Sequence, residues 1–299
     1  MSKPSVHVAI AMLFHRGKVL VGWRNADQHQ GNKYEFPGGK VEDGENPEQA
    51  CRREVLEEVG IDISNWHVFD FIRHEYEDIE VNLHLFHAQV SDLALVNIQQ
   101  PWTWYRREQL LDLNFPKANQ AILQRLLWAH QIQISDQLEK VQHLASDNFF
   151  YFRTEANEQA QQQIEQLDEQ VLSKLIVNVD LWHLLASATQ QKVAAVHFKH
   201  SQLMAMEKGQ LPIGLRCLGA CHDLASLQKA QSLGFDAVNL SPIRQTATHS
   251  DAIALGWERF AEYAKVCDIP IFALGGLSPD DLQLAQQHGA YGVAGIQNF

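Results

Sequence analysis

Between Gly39 and Ile61 the chain reads GKVEDGENPEQACRREVLEEVGI, a loop running into a short acidic helix, and no other stretch restricts the fold as tightly. Gly38 and Gly39 predict a turn at which only side-chain-free backbone can approach a ligand. Asn46 supplies an N-cap, Pro47 fits the first helical position, and Gln49 stands where a capping box places Glu or Gln. The helix is predicted to run through Val59, with Gly60 stopping it in a left-handed cap. Glu54, Glu57 and Glu58 fall at i, i+3 and i+4, so their carboxylates share one face, while Ala50, Val55 and Val59 turn inward. Such like charges repel by roughly 0.2–0.5 kcal/mol per pair. A bound Mg2+ or Mn2+, which prefers carboxylate and water oxygens, offsets that repulsion. A solvated acidic face is the ordinary explanation of a Glu cluster. It leaves the glycine loop, the cap and Arg53, all in one register, unexplained.

These residues match the Nudix box, G-x5-E-x7-R-E-U-x-E-E-x-G-U, at Gly39, Glu45, Arg53, Glu54, Val55, Glu57, Glu58, Gly60 and Ile61, so the stretch resembles the Nudix family. The resemblance implies a Mg2+-dependent hydrolase, with Mn2+ an alternative ion. Glu57 and Glu58 then hold metal, Glu54 binds metal or orients and deprotonates the attacking water, and the Gly39 carbonyl is a backbone ligand. Arg53 keeps the glutamates in register, Glu45 braces the loop, and Lys40 is placed for a phosphate oxygen.

Around the box, Val6–Phe14, Val19–Trp23, Lys33–Pro37, Trp66–Arg73, Glu80–Val90 and Trp102–Tyr105 read as strands, and Asn119–His130 as an amphipathic helix. The layout resembles the MutT-type branch of the family, an α/β/α sandwich with a mixed sheet, in a domain spanning residues 1–130. NKYEFPGGK and FPKAN are similar to that branch's NK-x-EFPGGK and FPPAN. The branch cleaves nucleoside triphosphates to a monophosphate and pyrophosphate and prefers 8-oxo-dGTP, which protects DNA replication from mutation. By that resemblance Asn119 reads the oxidised purine edge, since an amide offers both a donor and an acceptor. Arg24 and Phe36 line the opposite wall. Asn119 also reads as a helix N-cap, and both roles stay open. One departure is Thr103, which precedes Trp104 where the family carries a metal-binding glutamate. A hydroxyl is a poor substitute on Mg2+, so Glu35 or a water takes over, or one ion binds weakly.

At 299 residues the chain favours two domains. A net charge of −12 argues against a nucleic-acid surface, which is normally basic. The four cysteines are too scattered for a disulfide framework and read as buried thiols. The fifteen histidines offer no ligand pair, with His84 and His87 placed on one strand and its end. The N-terminal apolar run, about nine residues, is too short to span a membrane and lacks a small-residue cleavage site. The expected location is cytoplasmic, with a small-molecule nucleotide as partner.

After residue 130 short apolar runs alternate with polar helices. Gln131–Ser135, Asn148–Arg153, Leu175–Val179, Ala194–Phe198, Leu215–Ala220, Ala237–Leu240, Ile271–Leu274 and Gly292–Ala294 suggest a compact (β/α)8 barrel over 131–299. GACHDLASLQKAQSLGFDAVNLSPI, TATH, LGWERF, FALGGLSPDDL and GVAGIQNF resemble thiamine-phosphate synthase and its TenI-like relatives. That family binds phosphate at glycines corresponding to Gly275, Gly276 and Gly295. Tight strand-to-helix turns that need glycine explain them equally well. Where the family carries two Mg2+ aspartates and a lysine, this chain has Val179, Gln202 and Thr154, so the synthase reaction is not expected. The barrel reads as a degenerate or repurposed module whose role the sequence does not determine, an unknown phosphorylated ligand being one option. Two alternatives to nucleotide cleansing remain: hydrolysis of thiamine-pathway pyrophosphates, and a barrel that senses a metabolite and governs the hydrolase.

Overall fold

The capping residues end the first helix where the sequence places its ends. Helix α1 spans Pro47–Val59, the Asn46 side chain accepts from the Gln49 amide, Gln49 returns the bond, and Gly60 is left-handed at φ 82°. The computed structural model describes residues 3–24, 26, 31–75, 77–245, 253–296 and 299. It divides into two units, Met1–Leu127 and Trp128–Phe299.

In the first unit the strands are β1 (Ser5–His15), β2 (Lys18–Arg24), β3 (Lys33–Glu35), β4 (Gly38–Lys40), β5 (His67–Glu75), β6 (Glu80–Gln89) and β7 (Thr103–Arg106). They form a mixed sheet in the order β3-β2-β1-β6-β5, with β4 on β1 and β7 on β2. Strands β1 and β6 run parallel. Period-two alternation sorts β1 and β2 between two layers. Ala9, Ala11, Leu13 and Leu20 pack with Ala50, Val55 and Val59 of α1. Met12, Phe14, Val19 and Val21 pack with Ile122, Leu123 and Leu126 of α2 (Gln120–Leu126). The result is the α/β/α sandwich.

Two local expectations give way. Gly38 and Gly39 form no turn; they start β4, antiparallel to β1. A Cβ at Gly38, where φ is +152°, would run into the Ala9 carbonyl oxygen, so the glycine serves close strand approach. The helix expected over Asn119–His130 ends at Leu126, because Leu127 is already extended and the chain is feeding the strand that begins at Gln131.

In the second unit β8 (Gln131–Ser135), β9 (Phe149–Phe152), β10 (Leu175–Asn178), β11 (Ala195–Phe198), β12 (Cys217–Cys221), β13 (Ala237–Leu240), β14 (Ile271–Leu274) and β15 (Gly292–Gly295) close into a parallel barrel. Closure is made by β15 on β8, through Val293↔Gln131 and Ala294↔Ile132. Ile132, Ile134, Ile176, Ala195, Leu218, Ala237, Phe272 and Ala294 share one buried cluster, as expected of a barrel whose centre is filled by side chains. The Gln-rich run carries a helix over Glu158–Glu165, capped by Asn157, with Ala160 and Ile164 buried.

All four cysteines are free and buried. Burial pushes the Cys221 and Cys267 thiols up to about 12, so they stay protonated. Among the described residues no helix is long and apolar enough to cross a membrane. The TATH segment lies outside the described residues.

Candidate active site

Arg53 organises the loop and helix. Its guanidinium donates to Glu45 (2.8 and 3.2 Å), Glu54 (2.8 Å), Glu57 (3.3 Å) and the Lys40 carbonyl (3.0 Å). Its hydrogen bonds to Glu45 first, then to Glu54, keep it firmly charged. Glu45 is held below the usual carboxylate range, chiefly by Arg53, and also accepts from the Glu42 amide at 2.8 Å. One planar cation thereby ties β4, the loop and the face of α1 into a single unit.

The Glu54 carboxylate lies where a Cβ on Gly39 would stand, which is the close approach that this glycine serves. The Glu58 carboxylate accepts from the Gly38 amide at 3.0 Å. Glu58 as a residue is exposed, yet crowding of its carboxyl out of water pushes it up to about 7. The Gly38 amide opposes that rise, while the charges of Glu54 and Glu35 add to it. Glu35 pairs with Arg24, whose Nε donates at 2.6 Å. Sequence reasoning named Glu35 only as a stand-in and Arg24 only as a wall residue. Their pairing follows from β2–β3 register, since Glu35 sits opposite Gly22, on the face that α1 covers.

This donor set fits a hard divalent cation: carboxylates gathered at one end of α1, with the Gly39 backbone beside them. As arranged, Glu54 and Glu57 face Arg53 and Glu58 faces Gly38. Among the described residues no three His, Cys, Asp or Glu side chains already converge on one ion position.

Thr103 does not join this set. It pairs with Val21, whose side chain belongs to the α2 layer, whereas Leu20 and its partner Trp104 belong to the α1 layer. The residue that reaches α1 from here is Trp102, whose indole N–H donates to the Glu58 carbonyl at 2.7 Å. Nothing in the motif singled it out. Thr103→Glu is therefore expected to leave the Mg2+ concentration for half-maximal rate within about twofold of the parent, since a glutamate facing the α2 layer meets no ion. A clearly lower requirement, read from metal titrations of initial rate, would restore 103 as a ligand position.

Asn119 stands at the N-cap position of α2, yet its side chain makes no capping hydrogen bond. Lys40 is exposed. Phe36 is 5% exposed and stacks on Phe115 at 5.0 Å, so it presents little ring surface to a ligand. Outside the box, His7 Nδ1 and His84 Nε2 lie 2.9 Å apart, a histidine pair the sequence reading did not find.

In the barrel, Gly275 (φ +110°) and Gly276 (φ +69°) pack against Pro242 and Arg244, both in conformations that side chains resist. A Cβ at Gly295 would enter the Phe299 ring. Arg244 donates to the Gly276 carbonyl (3.1 Å) and to Asp281 (2.7 Å). Val179 is buried, the Thr154 carbonyl accepts from Asn178, and Gln202 donates to Asp180 at 3.0 Å. A valine, an amide and a lone carboxylate do not fit the family's metal–diphosphate site.

Comparison with known proteins follows the same division. A family model described as NUDIX domain matches residues 8–125. One described as Thiamine monophosphate synthase matches residues 139–299. The 8-oxo-dGTP diphosphatase of Proteus vulgaris is 38% identical over 87 residues, 29% of this chain and 78% of that protein. The 8-oxo-dGTP diphosphatase of Escherichia coli (strain K12) is 36% identical over 110 residues, 36% of this chain and 85% of that protein. For the second unit, a thiamine-phosphate synthase of Synechococcus sp. (strain WH7803) is 33% identical over 139 residues. That match covers 46% of this chain but only 38% of the relative's length.

Proposed function

The chain belongs to the Nudix family through its first unit, as a hydrolase of the 8-oxo-dGTP diphosphatase type, and to the thiamine monophosphate synthase family through its second; from that footing we propose that its own substrate is 8-oxo-dGTP. Water breaks the anhydride bond between the α- and β-phosphates, giving the nucleoside monophosphate and pyrophosphate. This removes oxidised nucleotide from the pool before DNA replication can use it. The observation that carries the reading is the Asn119 side chain, which sits at a helix start without capping it. Its amide is left with both a donor and an acceptor for a purine edge.

Glu54, Glu57, Glu58 and the Gly39 carbonyl would hold Mg2+ or Mn2+. When bound, the ion lowers the pKa of coordinated water and neutralises charge on the departing pyrophosphate. Glu54, seated against Gly39, takes the proton from the attacking water. Arg53 keeps Glu54 and Glu57 from turning away, and Lys40 offers its ammonium to a phosphate oxygen. The acidic chain meets its polyanionic substrate through these local cations.

Asn119→Ala is expected to cost about ten- to a hundredfold in kcat/KM for 8-oxo-dGTP and much less for dGTP. A site built to bond a polar edge loses about 1–3 kcal/mol for each buried group left unpaired. Equal losses on both nucleotides would reduce Asn119 to a structural position. The fused barrel favours a second reading, hydrolysis of a thiamine-pathway pyrophosphate. A parent enzyme that cleaves hydroxymethylpyrimidine diphosphate or thiamine diphosphate while ignoring 8-oxo-dGTP would establish that reading instead.

A further inference from the structure

Metal ligands on a helix are only as well placed as the helix turn beneath them. Glu57 and Glu58 occupy the last turn of α1, where backbone carbonyls lack partners within the helix. Gly60 returns one bond, from its amide to the Leu56 carbonyl at 3.2 Å. The Glu58 carbonyl is met by the Trp102 indole N–H at 2.7 Å. Trp102 is 8% exposed and its ring lies against Gly22, where a Cβ would come within 2.6 Å of it. Glu58 is thus gripped twice, at its carboxylate by the Gly38 amide and at its carbonyl by Trp102.

We infer that Trp102 is a positioning residue for the metal-binding end of α1, holding the Glu58 turn in register with the glycine strand. The inference rests on the proposed metal role of Glu58. Residues that hold ligands in place are typically worth about 10–100-fold in metal affinity.

Trp66 provides the internal control. It is 2% exposed, lies in the same cluster and donates its indole N–H to the Ile63 carbonyl at 2.9 Å, beyond the helix end. Replacing either indole by phenyl removes one buried bond to a carbonyl, but only Trp102 touches a ligand residue. The test titrates Mn2+ into the substrate-free full chain and follows free Mn2+ by electron paramagnetic resonance, with thermal melts alongside. Trp102→Phe is expected to weaken Mn2+ binding by about tenfold and to raise the Mn2+ requirement of hydrolysis in step. Trp66→Phe should lower the melting temperature comparably and leave Mn2+ affinity unchanged. Gly22→Ala, which keeps the indole but displaces its ring, should weaken Mn2+ binding as Trp102→Phe does. It carries the test if Trp102→Phe does not fold. Parent-like Mn2+ affinity in the folded Trp102 or Gly22 variant, or an equal loss in Trp66→Phe, would overturn the inference while leaving the role of Glu58 standing. An unaltered affinity in Glu58→Gln would remove both.

Discussion

Glu54→Gln is expected to lower kcat for nucleotide hydrolysis on the order of a thousandfold while the protein keeps its fold. On the roles proposed for Glu54, losing one metal carboxylate removes several kcal/mol of transition-state charge stabilisation, and losing the base adds to that. The fold should survive because glutamine keeps an oxygen for the Arg53 guanidinium, the carboxylate's partner at 2.8 Å. Arg53 would also remain fastened to Glu45 and Lys40. Turnover at saturating Mg2+, with a thermal melt alongside, separates the two effects. A folded variant with near-parent turnover would move the chemistry to another side chain.

Gly39→Ala is expected to cost about a hundredfold in kcat/KM at little cost in stability. The new methyl group would take the place of the Glu54 carboxylate. That carboxylate is the far end of a flexible side chain, so the protein relieves the clash by moving it. A misplacement of about 1 Å in a catalytic group is enough for a loss of that size. Gly38→Ala is the contrast: there the obstacle is the Ala9 backbone and φ is +152°, so the sheet itself must yield. Comparing activity and melting temperature for the two variants distinguishes the glycine kept for the carboxylate from the one kept for strand packing. A Gly39→Ala enzyme with parent activity would show that Glu54 works from another position.

The parts of this chain that could be read in advance are those whose causes are local. Asn46, Pro47, Gln49 and Gly60 decide the ends of α1 by bonds within a few residues, and the helix runs over the expected span. The eight barrel strands announce themselves by short apolar runs between polar helices. Gly38 and Gly39 join a strand rather than the expected turn because the neighbours that fix them, Ala9 and Glu54, are distant in sequence. Helix α2 stops at Leu126 although apolar spacing continues, because Trp128 packs with Phe272 and Ile132 of the barrel unit instead. For Thr103 the motif position suggests a ligand, but pairing with Val21 decides which face its side chain takes. Trp102 acts through a hydrogen bond to a backbone carbonyl, and no residue-type pattern records such a bond.

Barrel closure through β15 on β8 joins the first strand of that unit to its last, and this sets an order on synthesis. The first unit has all its described strands once Arg106 has emerged. The edge of β8 that receives Val293 stays unpaired until Val293 itself has been made. At about 5–20 residues per second that wait is on the order of ten seconds. Through it an open strand edge, rich in main-chain donors and acceptors, is exposed to other nascent chains. The ribosome therefore delivers the hydrolase unit before the barrel can close.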